Sequence, residues 1–137
     1  MSLKDKHMAD KLHFSLVSPE RELFAGAVDQ VDIPGTEGDL GIFANHSPLM
    51  AAIRTGAITV YNDGVETKYF VQGGFADVTP EGLTVLAERA GLLETLTAEN
   101  LTADIAAAEA KLGGLEGDAA LAATQDLDGL RALQASL

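Results

Sequence analysis

The sequence contains no cysteine, and this absence excludes several kinds of chemistry at once. Disulfides, thiolate zinc sites and cysteine nucleophiles all require a side chain that the protein does not have. Aromatic residues are also scarce, at 5% of the chain, although 47% of its residues are hydrophobic. A core built from these residues is therefore mostly aliphatic and has no covalent cross-links.

Long apolar runs and clusters of basic residues are missing as well. Without an apolar run of membrane-spanning length or a signal-peptide pattern, the sequence predicts no direct membrane insertion and no secretory address. Lys and Arg number 9 against 21 Asp and Glu, which gives a net charge of −12. Because nucleic acid demands clustered basic side chains, we expect no nucleic-acid partner. The 137 residues fit one compact unit or a small domain with an appendage.

Histidine is rare, and its positions form no metal-binding or catalytic pattern. His7, His13 and His46 show neither the H-x-H nor the H-E-x-x-H spacing. Ser47 follows His46 directly, but neighbours on an extended chain point to opposite sides, which is poor geometry for a nucleophile and its base. We therefore expect no catalytic residues, no metal and no cofactor.

Residues 8–90 carry the pattern of many short β-strands. The polar residues 1–7 before them are interpreted as a vector-derived leader, with a native terminus as the alternative. Alternating apolar runs are separated by turn residues, and residues 62–64 (Asn-Asp-Gly) favour a tight hairpin. Gly73-Gly74 is expected to break or bulge the sheet. This organisation predicts a flattened β-sandwich or barrel.

Residues 91–137 change to an alanine-rich helical pattern. Thr97 is suited to cap a first helix and Asp118 a second, with glycines between them. Leucines of the second helix recur at helical spacing, at Leu127, Leu130, Leu133 and Leu137. We therefore predict a mainly β plus α protein, in which a C-terminal antiparallel two-helix hairpin follows the N-terminal sandwich. Because the hairpin buries mainly Leu and Ala, it should depend on packing against the sandwich or a partner.

Residues 33–48 form a glycine-rich, acidic stretch. Val28 is assigned to the strand before it, and the glycines make the following backbone too irregular for a long element. Phosphate binding is disfavoured, because Glu37 and Asp39 lie in the stretch and Lys and Arg are absent from it. Two carboxylates without a regular ligand spacing indicate a metal only weakly. A structural turn and a docking loop both remain open.

Five segments in register carry a family resemblance. The first is residues 34–42 (Pro-Gly-Thr-Glu-Gly-Asp-Leu-Gly-Ile), followed by residues 46–49 (His-Ser-Pro-Leu). The others are residues 17–21 (Val-Ser-Pro-Glu-Arg), 23–26 (Leu-Phe-Ala-Gly), 73–78 (Gly-Gly-Phe-Ala-Asp-Val) and 84–88 (Thr-Val-Leu-Ala-Glu). Together they resemble the epsilon subunit of the F-type ATP synthase, closely up to Arg89 and loosely after it.

The resemblance implies a non-catalytic rotor subunit on the cytoplasmic face of the bacterial inner membrane. In this family the sandwich binds the gamma subunit and rests on the ring of c subunits, coupling proton flow to ATP synthesis, with regulation of ATP hydrolysis as a further role. Glu37, Asp39 and His46 match the family's ring-facing loop, and Asp39 is the first choice. His46 is either a surface contact or a hydrogen bonder that stabilises the turn.

Two other interpretations remain open. One is an ATP-sensing subunit of the same complex, with Asp128 and Arg131 as nucleotide-binding residues. Residues 127–132 fit the family's Ile/Leu-Asp-x-x-Arg-Ala motif, but they lie in the second helix instead of the first, which favours a chance match. The other is an unrelated β-sandwich binding module. Contact with the alpha/beta catalytic head is disfavoured, because residues 91–137 carry 8 acids and 2 bases, a net −6.

Overall fold

The computed structural model describes residues 11–137, so the interpretation of residues 1–7 lies outside the described residues. The strands are β1 (Leu12–Val17), β2 (Glu22–Val28), β3 (Gln30–Gly35), β4 (Gly38–Phe43), β5 (Leu49–Ala52), β6 (Gly56–Asn62), β7 (Val65–Thr79) and β8 (Gly82–Leu92). A 3₁₀ turn at Leu93–Thr95 leads to helices α1 (Ala98–Leu112) and α2 (Gly117–Ala135). The predicted class, a β-sandwich followed by a helical hairpin, is confirmed.

The strands form one sheet in the order β2-β1-β8-β7-β6-β3-β4, with β5 added to β7. β7 is 15 residues long and changes partner along its length, pairing first with β6 and then with β5. β8 pairs antiparallel with β7 and parallel with β1. Because the long β7–β8 pair serves both layers, the sheet can close over itself into a sandwich. The β6–β7 turn has the predicted hairpin geometry, with positive φ at Asp63 (52°) and Gly64 (79°).

Gly73-Gly74 lies where β7 exchanges β6 for β5, so the sheet breaks there on one side of β7 as predicted, although β7 itself has no bulge. The strand is continuous, and its register with β8 is the same on both sides of the two glycines. Both have positive φ, 63° and 119°. A Cβ at Gly74 would overlap the Leu86 carbonyl oxygen. Glycine is required because the backbones of β7 and β8 approach each other closely.

The acidic stretch is more regular than the sequence predicts. β3 and β4 form a hairpin in which Gly35 faces Gly38 across a two-residue turn. The expected irregular loop is therefore wrong from Gly38 onward, because Leu40 and Ile42 alternate towards the core and hold the segment as a strand. Val28 also differs from its assignment, since it ends β2 and the chain bends before β3 begins.

The sandwich core is mostly aliphatic. Alternate residues of the strands point inward and are buried. They include Phe14, Leu16, Val28, Val31, Ile33, Ile42, Ile58, Val60, Val71, Val78, Leu83 and Val85. His13 lies on the opposite face of β1 and is exposed. The ring of Phe14 contacts that of Phe24 at a centroid distance of 5.5 Å, so the aromatic content of the core is concentrated near β1 and β2.

The helical hairpin packs on the outside of the sheet through a second apolar cluster. This cluster contains Phe70, Leu101, Ile105, Leu127, Leu130 and Leu133. Thr97 caps α1 as predicted, because its side-chain oxygen accepts the Asn100 N–H at 3.1 Å. Gln134 Nε2, near the end of α2, donates to Thr102 Oγ1 in α1 at 2.8 Å. The two helices are therefore antiparallel.

Two predicted details at the ends of α2 are wrong. Asp118 does not cap the helix, which begins one residue earlier at Gly117, where a φ of 64° turns the chain. Asp118 lies in the first turn, where its charge complements the helix dipole. Leu137 lies beyond α2 and is 52% exposed, so the buried leucine series ends at Leu133.

Lys11 joins the start of β1 to the β6–β7 turn. Its Nζ lies 2.6 Å from Asn62 Oδ1, 2.9 Å from Asp63 Oδ1 and 3.2 Å from Asp29 Oδ1. The Asp63 backbone N–H donates to Asp29 Oδ2 at 2.8 Å. The Asp63 N–H, followed by the Lys11 ammonium, lowers the pKa of Asp29 below its ordinary value.

Asp29→Asn is expected to be less stable than the native protein at neutral pH and to lose this difference in acid. Because folding lowers the pKa of Asp29, its carboxylate stabilises the folded state fully above the unfolded pKa of about 3.9. That contribution disappears as the pH falls through the lower pKa of the folded state. Unfolding temperatures of both proteins, measured from about pH 7 to about pH 2, should converge. A difference that stays constant with pH would contradict an ionic role for Asp29.

Candidate functional site

The β3–β4 turn presents two of the predicted site residues at an edge of the sheet. Glu37 lies in the turn and is exposed, and Asp39 is the second residue of β4, with a side chain 74% exposed. The Thr36 N–H donates to the Ala52 carbonyl oxygen at 2.9 Å, so the turn is bonded to β5 as well as to its own hairpin. The two acidic side chains are therefore displayed on a supported backbone.

Arg54 is the residue of this site that sequence reasoning missed. Its Nη2 lies 2.7 Å from Asp39 Oδ1, and its Nη1 donates to the Gly35 carbonyl oxygen at 3.4 Å. Its backbone N–H donates to the Pro34 carbonyl oxygen at 2.9 Å. One residue thus holds both strands of the β3–β4 hairpin. One feature of the sequence could have identified Arg54: no other Lys or Arg occurs between Arg21 and Lys68.

His46 lies apart from the two acidic residues. Glu37 precedes β4 and His46 follows it, so a six-residue strand, about 20 Å long, separates them. The His46 Nδ1 lies 2.8 Å from the Ser47 carbonyl oxygen, which is the contact expected of a residue that stabilises a turn. The structure therefore brings Glu37 and Asp39 together but does not bring His46 to them.

An exposed apolar face lies on the outer side of β5, β7 and β8. Its large side chains are Met50, Phe75 and Leu86, which are 68%, 57% and 55% exposed. Phe75 is paired with Leu86 on β8 and with Ala52 on β5, and Met50 shares the face of Ala52. Neighbouring exposed apolar side chains of this kind are typical of an interaction surface. The sequence did not reveal it, because the strand order that joins these residues is non-local.

The residues of the nucleotide motif serve the packing of the hairpin. Leu127 and Leu130 belong to the apolar cluster under α1. Asp128 and Arg131 are exposed on α2, and Arg131 Nη2 lies 3.8 Å from Glu109 Oε2 on α1. The motif is therefore explained by an amphipathic helix, and its two polar residues do not converge on a cavity.

We expect no ATP binding by the isolated chain. The Arg131 guanidinium lies beside Glu109, whose negative charge opposes the approach of a phosphate. Titration calorimetry with millimolar ATP should give no saturable heat, and Arg131→Ala and Asp128→Ala should behave like the native protein. Saturable binding that disappears in Arg131→Ala would establish the ATP-sensing alternative instead.

Other features of the described chain give no sign of a separate ligand chemistry. Across residues 11–137, His, Asp and Glu side chains nowhere gather in threes as a metal would require. Neither α1 nor α2 combines the length and the apolar character needed to cross a membrane. A cavity of about 630 Å³ lies between the hairpin and the sheet, and Arg54 and Asp126 are among its lining residues.

The comparison with known proteins identifies the family of the sandwich. A family model described as ATP synthase, Delta/Epsilon chain, beta-sandwich domain matches residues 11–92. The chain belongs to this family. The match ends where β8 ends, so it covers all the strands described above and leaves out the two helices.

Relatives named ATP synthase epsilon chain extend the similarity to the helices. The protein from Hyphomonas neptunium (strain ATCC 15444) is 48% identical, covering 94% of this chain and 100% of the relative. That from Parvibaculum lavamentivorans is 50% identical over 93% and 98% of the two chains. That from Maricaulis maris is 60% identical over 72% and 74%. The resemblance to the epsilon subunit, inferred from five segments, is confirmed.

Solved structures share the fold of this epsilon-family chain. A chain in the cryo-EM structure of the Euglena gracilis mitochondrial ATP synthase, OSCP/F1/c-ring in rotational state 1, matches with a TM-score of 0.75 at 22% identity, covering 93% of this chain and 81% of that chain. A chain in the Tetrahymena thermophila mitochondrial ATP synthase central stalk/c-ring structure matches with a TM-score of 0.62 at 13% identity, covering 92% and 95%. At these identities the likeness concerns the fold.

Proposed function

We propose that this chain is a non-catalytic rotor subunit in the central stalk of an F-type ATP synthase. Its sandwich links the gamma subunit to the c-ring and helps to couple proton flow to ATP synthesis, with regulation of ATP hydrolysis as a further role. It acts as a peripheral protein on the cytoplasmic face of the bacterial inner membrane. The observation that carries the proposal is the exposed acidic β3–β4 turn, which Arg54 holds at the edge of the sheet.

The β3–β4 turn is the proposed contact with the c-ring, whose polar loops carry a positive charge in this family. Within residues 11–137, Glu37 makes no ion pair, so its charge is available to a partner. Asp39 forms an ion pair with Arg54, which offsets its negative charge and stabilises the turn. Glu37 is the primary electrostatic contact and Asp39 supports it, while His46 extends the contact surface at the other end of β4.

The exposed apolar face is the proposed contact with gamma. Phe75, Leu86 and Met50 together form an exposed apolar surface, and such surfaces on soluble proteins are typically interaction sites. A subunit that remains attached through rotation needs a long-lived interface, and long-lived interfaces have apolar centres. The acidic turn adjoins this face at β5, where Glu37, Asp39 and Met50 line one cavity, so the proposed contacts with the c-ring and with gamma are neighbours on the sandwich.

Phe75→Asp is expected to weaken gamma binding by about tenfold or more, because it places an unpaired charge in the centre of an apolar contact. The subunit itself should remain folded, since the side chain is 57% exposed. Co-purification of the variant with gamma, together with circular dichroism, measures both effects.

The matched control for this experiment is Val65→Asp. Val65 is 62% exposed and starts β7 at the β6–β7 turn, so the same chemical change is made away from the apolar face. It should bind gamma normally. Equal loss of binding in both variants, or normal binding by Phe75→Asp, would contradict the assignment of this face to gamma.

A further inference from the structure

Two consecutive residues, Arg54 and Thr55, connect the acidic turn to the helical hairpin. Arg54 contacts the turn, through Asp39 and through the Gly35 carbonyl oxygen. Thr55 is 3% exposed and contacts α2 on the opposite side, where its Oγ1 donates to Asp126 Oδ1. A displacement of the acidic turn or of α2 therefore acts on the same short segment of backbone, residues 54–55.

The backbone of helix α2 lies in close contact with this segment at Gly129. A Cβ at Gly129 would overlap the Thr55 carbonyl oxygen, so glycine alone fits at that position. One turn earlier, Gln125 Nε2 donates to the Thr36 carbonyl oxygen at 3.3 Å, so α2 also bonds directly to the turn. Gly129 lies at the buried face of α2, between two residues of the hairpin core.

We propose that docking of α2 and ordering of the β3–β4 turn are coupled through Arg54 and Thr55. When α2 is docked, the contact of Thr55 holds the backbone at residues 54–55 in place, and the contact of Gln125 holds the turn itself. Arg54 then positions the acidic side chains of the β3–β4 turn. With α2 released, the turn loses the Gln125 bond and the support of Thr55. By linkage, a partner that binds and rigidifies the turn stabilises the docked hairpin by the same factor. That the partner is the c-ring rests on the proposed function; the coupling itself belongs to the isolated chain.

The first test releases α2 by Gly129→Ala in the full-length protein. Alanine is a better helix former than glycine, so the variant strains the contact with Thr55 without weakening the helix. Because the chain has no cysteine, Leu121→Cys and Val65→Cys give unique spin-label sites, one on α2 and one on the sandwich, both exposed. A longer and broader distance distribution between the labels reports release of α2.

Amide hydrogen exchange reports the turn in the same variant. The Thr36 N–H, bonded to the Ala52 carbonyl oxygen, should exchange at least about fivefold faster. The Asp63 N–H, bonded to Asp29 at the distant β6–β7 turn, should be unchanged. Asp128→Ala, a change at the exposed neighbouring position on α2, should alter neither the labels nor the amides.

The reciprocal test is Arg54→Gln, which removes the ion pair with Asp39 and should broaden the label distances by weakening docking of α2. Release of α2 without faster exchange at Thr36 would overturn the coupling, as would an unchanged label distribution in Gly129→Ala. Normal docking in Arg54→Gln would overturn it too. None of these measurements includes a partner, so failure of the isolated subunit to bind a c-ring would count against the proposed function alone.

Discussion

Phe14→Ala is expected to lower the free energy of unfolding of the sandwich by about 3–5 kcal/mol. The ring is fully buried and packs against Phe24 at a centroid distance of 5.5 Å. β1 is held on both sides, by β2 and by β8, so the surrounding backbone cannot collapse into the space that the ring leaves. Because a domain has only about 5–15 kcal/mol of stability, this variant should be close to unfolding at ambient temperature.

The matched variant for Phe14→Ala is Leu130→Ala, which removes a buried side chain from the hairpin cluster. We propose that the sandwich and the hairpin, expected from the sequence at residues 8–90 and 91–137, are separable units that divide where β8 ends at Leu92. Leu130→Ala should then melt or release the helices and leave the sandwich folded. The helical signal in circular dichroism reports the folding of the hairpin. Fluorescence of Tyr61 and Tyr69, which lie on β6 and β7, reports the folding of the sandwich. Loss of both signals together in Leu130→Ala would show that the chain unfolds as one unit.

The elements that local chemistry determines were predictable from the sequence. The Asp63-Gly64 turn required no tertiary information, because these residues tolerate positive φ in a two-residue hairpin. Thr97 was recognisable as a helix cap for the same kind of reason, since its side chain bonds within its own turn. The inward alternation of β1 and the helical spacing of Leu127, Leu130 and Leu133 likewise follow from a single element's period.

The elements that depend on distant partners could not be predicted in this way. Gly73-Gly74 looks like a strand break, but it is the point at which β7 exchanges β6 for β5 against a continuous β8. Gly38 looks like part of an irregular loop until Leu40 and Ile42 are seen to face the core. Glycine is required at Gly74 by the close approach of the β8 backbone, whereas at Gly38 it supplies a positive φ of 137°.

The candidate site shows the same division. The acidic character of Glu37 and Asp39 was visible in the sequence, whereas the ion pair that positions Asp39 joins residues 15 positions apart. The exposed apolar face arises only when β5, β7 and β8 lie side by side. Sequence reasoning therefore identified the charges of the site but not the side chains that support them.

Asp39→Lys is expected to reduce ATP-driven proton pumping several-fold in reconstituted vesicles while the subunit remains folded. The exposed Asp39–Arg54 pair contributes only about 0–1 kcal/mol to stability, so its loss does not unfold the sandwich. The new ammonium repels Arg54, which loosens the turn, and it also presents a positive charge to the proposed ring surface. The measurement is the ratio of vesicle acidification to ATP hydrolysis, and Glu66→Lys, an exposed acidic residue near the start of β7, is the charge-matched control.

A double variant separates the two effects of Asp39→Lys. Combining it with Arg54→Glu restores an ion pair across the hairpin but keeps a positive charge at position 39. If pumping returns, Asp39 acts by holding the turn; if pumping stays low, its charge faces the partner. Glu37→Lys has no internal pair to restore and should reduce pumping through the contact alone, because like charges at an interface cost several kcal/mol. Normal pumping in both Asp39→Lys and Glu37→Lys would contradict the assignment of the β3–β4 turn to the contact with the ring.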